Sequence, residues 1–542
     1  MGMPGSQRVA WRRYRGTSLA LILGLVIVIG VLLRIASFSS NGCLQGDVNL
    51  FALTAREFVQ HDRLYYPMKY EFSENVPYKT LASPASQHPL LWPLAAGLLG
   101  KVLSTDATFP LLKLLSEAVG VGMLMLIGVA GWRQGNVTET PVALTLCALS
   151  PILVDFSGNG SPYILIALIL LCAAALMSEY NPERRIDYVL AGFLCAISLQ
   201  VHSITVLLPA AFLSYWRFVR GGVPWRGAAL AALSGFLTLL PWMVWNYAHF
   251  GRLFYSYSTL YFLKQFGFAE VGLVNGTVST YLTARPVDTS FVIDYARQAL
   301  LTTVEMVRSY YDAVGPFSLF LLIAGGIILW RRDRRLAIAL FLPAFCYALT
   351  VVMWATWRDR FVVPLVPVTC LGAAAGFAAL LKGRRLLQGM GWIFVTAALL
   401  WNVNGLLRGP ATYYYRYSSS HAASYAAMLS LVKEMGAIEK GTILGYSQAL
   451  DGGTETVYWH RRPFVYGREL PLQTVAKVIE DFGIRYIWVD SANYGLIRSN
   501  FPDADEIRSN REFHLFELPR PSIQLDIPTY CGESALQSRT GG

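Results

Sequence analysis

Five places in this 542-residue chain set an ionisable side chain at the edge of an apolar run: Asp47, His88, Asp155, His202 and the triplet Arg358-Asp359-Arg360. Such groups cost free energy at an apolar boundary unless they are paired or used, so several of them on one face point to a functional cleft. One well-placed carboxylate can take a proton as a general base, and arginines can hold phosphate oxygens through bidentate, charge-assisted hydrogen bonds. Taken singly, each also reads as a helix cap, a loop charge or a headgroup contact. The five are far apart in sequence, so only a chain that returns repeatedly to one face can combine them.

Composition supplies such a chain. Hydrophobic residues make up 54% and charged residues only 15%, more apolar surface than one water-soluble core can hide, which makes this a multi-span membrane protein. The net charge of +11 comes mainly from short clusters between apolar runs: Arg12/Arg13, Arg184/Arg185, Arg217/Arg220/Arg226, Arg331/Arg332/Arg334/Arg335 and Lys382/Arg384/Arg385. That spacing is the trace of cytoplasmic loops under the positive-inside rule and argues against a nucleic-acid surface. No convincing cleavage pattern follows the first run, which reads as a retained helix starting in the cytoplasm.

The stretch from His88 to Leu103 is short for a span, and counting it as one would invert every later loop. Read as a re-entrant or interfacial helix on the outer side, it leaves about eleven spans, roughly 17–38, 110–131, 141–155, 161–178, 188–202, 204–217, 227–248, 313–330, 336–354, 361–381 and 390–407. Asp155 then ends the third span and His202 lies between the fifth and sixth. Asp47 opens what looks like a surface helix in an outer loop spanning 39–109.

An odd count places the C-terminus outside. After residue 408, Thr442–Tyr446, Leu472–Phe482 and Tyr486–Asp490 read as strand, helix, strand, and Phe513–Leu518 as a further strand. The chain thus divides into a membrane domain, 1–408, and a small extracytoplasmic α/β domain, 409–542. In that tail Asp451 and His460 read as a turn residue and a surface histidine. Five cysteines, Cys147, Cys172, Cys195, Cys346 and Cys370, fall in spans as small packing residues. Cys43 and Cys531, both outside, are either a disulfide or two free thiols. Tyr255, Tyr257, Tyr261, Phe262, Phe266 and Phe268 crowd the outer segment 250–312 as an interfacial belt or a sugar-stacking platform, with Lys264 among them within reach of a lipid phosphate.

The order of these residues resembles a family. Gly46-Asp47, Ala55-Arg56-Glu57-Phe58, Leu64-Tyr65-Tyr66-Pro67 and Gln87-His88-Pro89-Leu90-Leu91-Trp92-Pro93-Leu94 look like the first outer loop of the GT-C glycosyltransferases, membrane enzymes that use polyprenyl-phosphate-linked sugars. Protein O-mannosyltransferases and the aminoarabinose transferases of lipid A are among them. Ser150-Pro151 through Asp155 and Ser157-Gly158 resembles the second outer loop. Arg360-Phe361-Val362-Val363-Pro364-Leu365-Val366-Pro367 resembles the Arg-Tyr, then Pro motif that opens a late span. The resemblance covers about residues 17 to 407. Two departures stand out: Val48 follows Asp47 where the family often has Glu, and Leu90 follows Pro89 where many members have a second Pro.

The resemblance implies an inverting transferase acting on the outer face of a prokaryotic-type inner membrane. Asp47 would deprotonate the acceptor, while Arg360, which aligns with the family's arginine, and Arg358 would bind the departing phosphate. His88 would orient phosphate or acceptor, and Asp155 would hold a sugar hydroxyl, an arginine or a divalent cation. Such a cation needs several oxygen ligands, and the missing glutamate leaves metal use open. Sugar and acceptor, whether lipid, glycan or protein, are not readable. The competing reading is a transporter or lipid flippase, which would gather its ionisable groups near the bilayer midplane, often with inverted repeats.

Overall fold

The computed structural model describes residues 5–40, 47–66, 83–84, 89–133, 138–219, 221–222, 225–254, 269–274, 277–282, 288–355, 359–408, 427–428, 430–446, 460, 464–466 and 472–519. His88, Lys264, Arg358, Cys43, Cys531, Asp451 and the aromatic run 255–268 lie outside the described residues, as does the side chain of Asp47.

The chain is an integral membrane protein built on a helical bundle. In order come α1 (Gly5–Ser40), α2 (Asp47–His61), α3 (Leu91–Val102), α4 (Thr108–Arg133), α5 (Glu139–Ala148), α6 (Pro151–Gly158), α7 (Tyr163–Glu179), α8 (Arg185–Val201), α9 (Leu208–Phe218) and α10 (Trp225–Phe250). After these come α11 (Thr289–Arg332), α12 (Arg334–Met353), α13 (Val366–Leu381) and α14 (Arg385–Leu407). Helix stands at each apolar run read from the sequence. Among the described residues, seven helices are long and apolar enough to cross a membrane, or eight if α5 and α6 form one broken span.

Three places differ from the reading of the sequence. The run 141–155 is two helices bent by 55°, because Pro151 at the first turn of α6 cannot continue the hydrogen bonding of α5. Asp155 therefore lies inside α6 instead of ending a span. Part of the segment read as outer loop, from Thr289 onward, is helical and runs into the span beyond it. The two parts of α11 meet at a kink where Gly315 has φ 76° and is followed by Pro316. A side chain at Gly315 would also stand 2.8 Å from the Trp401 ring, so both its dihedral and its space require glycine. Lastly, α2 is no surface helix: residues 51–57 are all buried.

Helix α2 is buried against α3 and α4, in a cluster that extends through Met428, Leu431 and Met435 to one face of the C-terminal sheet. After the two-stranded pairs β1 (Tyr65–Tyr66) with β2 (Ser83–Pro84) and β3 (Ala269–Val274) with β4 (Thr277–Leu282), strands β5 (Thr442–Tyr446), β6 (Phe464–Tyr466), β7 (Ile484–Asp490), β8 (Asp505–Ser509) and β9 (Phe513–Glu517) form one sheet in the order β6-β5-β7-β9-β8. Strands β5, β6 and β7 are parallel, and β9 is antiparallel to both β7 and β8. Alternation along the strands divides their side chains between two faces. Ile443, Tyr486, Trp488, Phe513 and Leu515 join one cluster with Leu50, Phe51 and Trp92 of α2 and α3. Leu444, Ile487, Val489 and Phe516 join another with Val475, Val478 and Phe482 of the helix Leu472–Phe482. The tail is thus clamped through one face to the first loop.

At the edge of this sheet His514 Nδ1 lies 2.8 Å from Glu506 Oε1, and its Nε2 lies 3.2 Å from Ser491 Oγ. The Ser491 hydroxyl donates to Arg511 O at 2.9 Å and its N–H to Glu512 O at 2.9 Å, so the trio ties β7 to the β8–β9 turn. Partial burial raises the Glu506 carboxyl, but hydrogen bonds to His514, Ser509 and Tyr494 outweigh it and hold the group below its ordinary value. Its contribution to stability is present above the unfolded pKa, about 4.3, and is lost as pH falls through the lower folded value. Glu506→Gln should lower the thermal midpoint at pH 7, and the gap to wild type should close between about pH 5 and pH 3.

Helices α11 and α13 approach backbone to backbone: a Cβ on Gly376 would collide with Leu321 O, and one on Gly325 with Gly372 O. Gly372 and Gly376 form a small-xxx-small step of the kind that lets membrane helices meet closely. Gly376→Leu should destabilise the protein in detergent by about 1–3 kcal/mol or more. Gly389→Ala, with nothing within 4 Å of the new methyl, should leave the thermal midpoint unchanged or slightly raised.

Candidate active site

The site is organised around the break between α5 and α6. A helix that stops inside a protein leaves its last carbonyls without intrahelical partners. Here they are met from two other helices. Asn402 of α14 donates to Leu146 O at 3.4 Å. Arg34 of α1, fully buried, donates to Cys147 O and Ala148 O at 3.5 Å each. Arg34 also donates to Gly30 O at 3.0 Å and, through Nε, to Ser157 Oγ at 3.1 Å. One guanidinium therefore joins α1 to both halves of the broken helix, and its own charge is met by oxygen acceptors throughout.

The segment after the break is held as tightly. A Cβ on Gly158 would stand 2.5 Å from Ser37 Oγ and 2.7 Å from Phe38 N, so the end of α6 rests on the end of α1. Ser116 Oγ of α4 lies 2.8 Å from Ser157 O and accepts the Gly160 N–H at 3.1 Å. Trp92 of α3 donates to Gly160 O at 2.9 Å. Gly160 has φ 85°, and a Cβ there would lie 3.1 Å from Val48, the second residue of α2. The helix that Asp47 opens is thus seated against this segment. Nearby, buried Lys113 of α4 donates to Phe38 O and stands over the Phe38 ring at 4.3 Å.

Beyond Pro162, α7 opens with the buried Tyr163, whose hydroxyl accepts from Arg360 Nε at 3.1 Å. The guanidinium lies 5.6 Å from the centre of the Tyr163 ring and 5.9 Å from that of Phe361, within cation–π range. Arg360 is carried by the 3-10 segment Asp359–Leu365, which Tyr347 fixes by donating to Phe361 O at 3.1 Å. His202, in extended backbone between α8 and the 3-10 turn Ser203–Thr205, lies 5.6 Å from the Tyr163 ring. Its Nδ1 accepts the Ile204 N–H at 3.2 Å, which in the neutral ring leaves the proton on Nε2. Asp155, only 3% exposed, precedes Phe156, whose ring is 6.4 Å from Tyr163.

The fold therefore brings Arg360, His202 and Phe156 around Tyr163, at the end of the bundle where α2 begins, with Asp155 buried next to Phe156 in α6. Tyr163, Arg34 and Lys113 were not among the residues singled out in the sequence, and Trp92 entered only as part of the first-loop motif. Arg34 carried a signal, as a lone charge inside the apolar run 17–38. Tyr163 carried none beyond following the second loop. Among the described residues no group of three or more His, Cys, Asp or Glu could hold a metal ion.

No protein-family model and no curated protein sequence matches the chain. Solved structures do. ArnT from Cupriavidus metallidurans, both in the apo state and bound to undecaprenyl phosphate, superposes with a TM-score of 0.57 at 11% identity, covering 91% of this chain and 97% of that one. The oligosaccharyltransferase of Archaeoglobus fulgidus, crystallised with Zn and sulfate, gives a TM-score of 0.52 at 15% identity over 88% of this chain and 69% of that one. The chain therefore has the GT-C-like membrane fold that its motifs resemble.

Arg34→Met would leave two carbonyls and the Ser157 hydroxyl without their donor. The expected loss is about 3–5 kcal/mol, read as a lowered thermal midpoint in detergent, with Arg34→Lys intermediate. Unchanged midpoints in both variants would contradict this account of the break.

Proposed function

We propose that this protein is an inverting glycosyltransferase that moves a sugar from a polyprenyl-phosphate donor to a lipid, glycan or protein acceptor on the extracytoplasmic face of the inner membrane. The observation that carries the reading is the convergence at one end of the bundle: Arg360 on Tyr163, with His202 and Phe156 beside it, and the start of the Asp47 helix on the same Gly158–Tyr163 segment. A solved structure of the same fold holds undecaprenyl phosphate, which supports a lipid-phosphate donor. The eleven-span topology, with N-terminus in the cytoplasm and the tail outside, belongs to this proposal.

In the proposed reaction the Asp47 carboxylate takes the proton of the acceptor hydroxyl or amine as that atom attacks the anomeric carbon. The bond from that carbon to the phosphate oxygen breaks on the opposite side, and the electron pair leaves with the polyprenyl phosphate. The leaving group is a weak base and needs no dedicated acid. It needs positive charge, which Arg360 supplies with Arg358, while His88 and Lys264 approach the phosphate and Asp155 orients a sugar hydroxyl. The Tyr163 hydroxyl and ring fix the guanidinium before the donor arrives, so less ordering is required on binding.

Transfer of radiolabelled sugar from a panel of polyprenyl-phosphate donors, in membranes carrying equal amounts of each variant, tests this. Asp47→Asn should lower transfer by about 10²–10⁴-fold with donor binding retained. Arg360→Ala should lower it by about 10²–10³-fold. Full transfer by Asp47→Asn removes that residue from the mechanism. Absence of transfer by the wild type from every donor, with a complete membrane extract as acceptor, overturns the proposal in favour of transport.

A further inference from the structure

At the opposite end of the bundle from Tyr163, α4, α5, α7, α11, α12 and α13 leave a crevice of about 180 Å³ that opens at its mouth. Its walls are opened by small side chains, Ala130, Ala174, Ala175 and Ala374 among them. Helix packing normally fills such a volume with side chains. The walls are braced: a Cβ on Gly131 would collide with Thr140, so α4 and α5 touch directly at the mouth. A cleft of this size between membrane helices accepts hydrocarbon.

The mouth is not apolar. Glu139 at the start of α5 and the exposed Glu179 at the end of α7 line it, and Arg332 at the end of α11 stands 3.9 Å from Glu139. Around them this end of the bundle carries arginines, Arg331, Arg334 and Arg335 next in sequence. Carboxylates inside a basic rim are the complement of a headgroup that carries both signs. A primary ammonium can donate to both glutamates, and its phosphate can reach Arg332. A quaternary ammonium has no N–H to donate, and an anionic headgroup would meet two carboxylates.

We infer that this crevice binds a phospholipid with a primary-amine headgroup, one acyl chain lying between α4, α7 and α13 and the amine on Glu139 and Glu179. It is a lipid site of its own, at the other end of the bundle from the proposed donor site, and stands whether or not that site transfers a sugar.

Native mass spectrometry of the full chain in detergent, titrated separately with phosphatidylethanolamine, phosphatidylcholine and phosphatidylglycerol, tests the inference. Wild type should retain the ethanolamine lipid about tenfold better than either of the others, the fold-change of about 1.4 kcal/mol in binding. Glu139→Gln combined with Glu179→Gln, two isosteric changes near the bundle surface, should abolish that preference. Ala174→Trp, which fills the crevice, should lower binding of all three. Equal retention of the three lipids by wild type, or an amine preference that survives the double glutamine variant, overturns it.

Discussion

One buried guanidinium sets the geometry at the α5–α6 break. A helix broken inside a membrane cannot turn to water for its orphan carbonyls, so the break is tolerated only where protein supplies donors. Arg34 supplies them for Cys147 and Ala148 and at the same time grips Ser157 across the bend. The direction of α6, the position of Gly160 and the start of α7 follow from that arrangement. Because Tyr163 opens α7, the place where Arg360 lies also depends on it. A lysine could not do the same work, since only the planar fork presents donors to several acceptors in fixed directions.

This coupling explains why the site sits where sequence motifs gather. Proline at 151 interrupts the helix, the segment from Ser157 to Gly160 makes room for α1, α2 and α4, and Trp92 reaches back to close the loop. The cluster that buries α2 and α3 extends through Met428, Leu431 and Met435 to Tyr486, Trp488 and Phe513 of the C-terminal sheet. The first loop is therefore held between the bundle and the tail. A helix start fixed in this way suits a carboxylate that must meet an acceptor in one orientation.

Much of this was legible in the sequence, and the reasons are specific. Apolar length located the helices, and the alternation of apolar residues located Thr442–Tyr446, Tyr486–Asp490 and Phe513–Leu518, because both signals are local. The order of Asp47, the Ser150–Gly158 segment and Arg360 pointed to the fold now seen in the solved structures. What stayed hidden depends on contacts between distant segments. The amphipathic pattern of α2 looks the same whether its polar side meets water or another part of the chain, so its burial could not be read. The α5–α6 bend reads in the sequence as one continuous span, and Arg34 carries too little signal to mark its partner, because a single charge barely lowers the hydropathy of a long run. The pairing of Tyr163 with Arg360 spans nearly two hundred residues in sequence, beyond any periodicity.

The central claim is that the Gly158–Tyr163 segment, the start of α2 and Arg360 form one site for a lipid phosphate. Its most direct test is a cryo-EM structure of the full chain with a non-transferable phosphonate analogue of a polyprenyl-phosphate sugar. The account predicts the phosphonate oxygens in hydrogen-bond contact with Arg360, and the anomeric carbon facing Asp47 with room for an acceptor between them. A headgroup bound elsewhere, with Arg360 still donating to Tyr163 and no ligand beside it, would contradict the account.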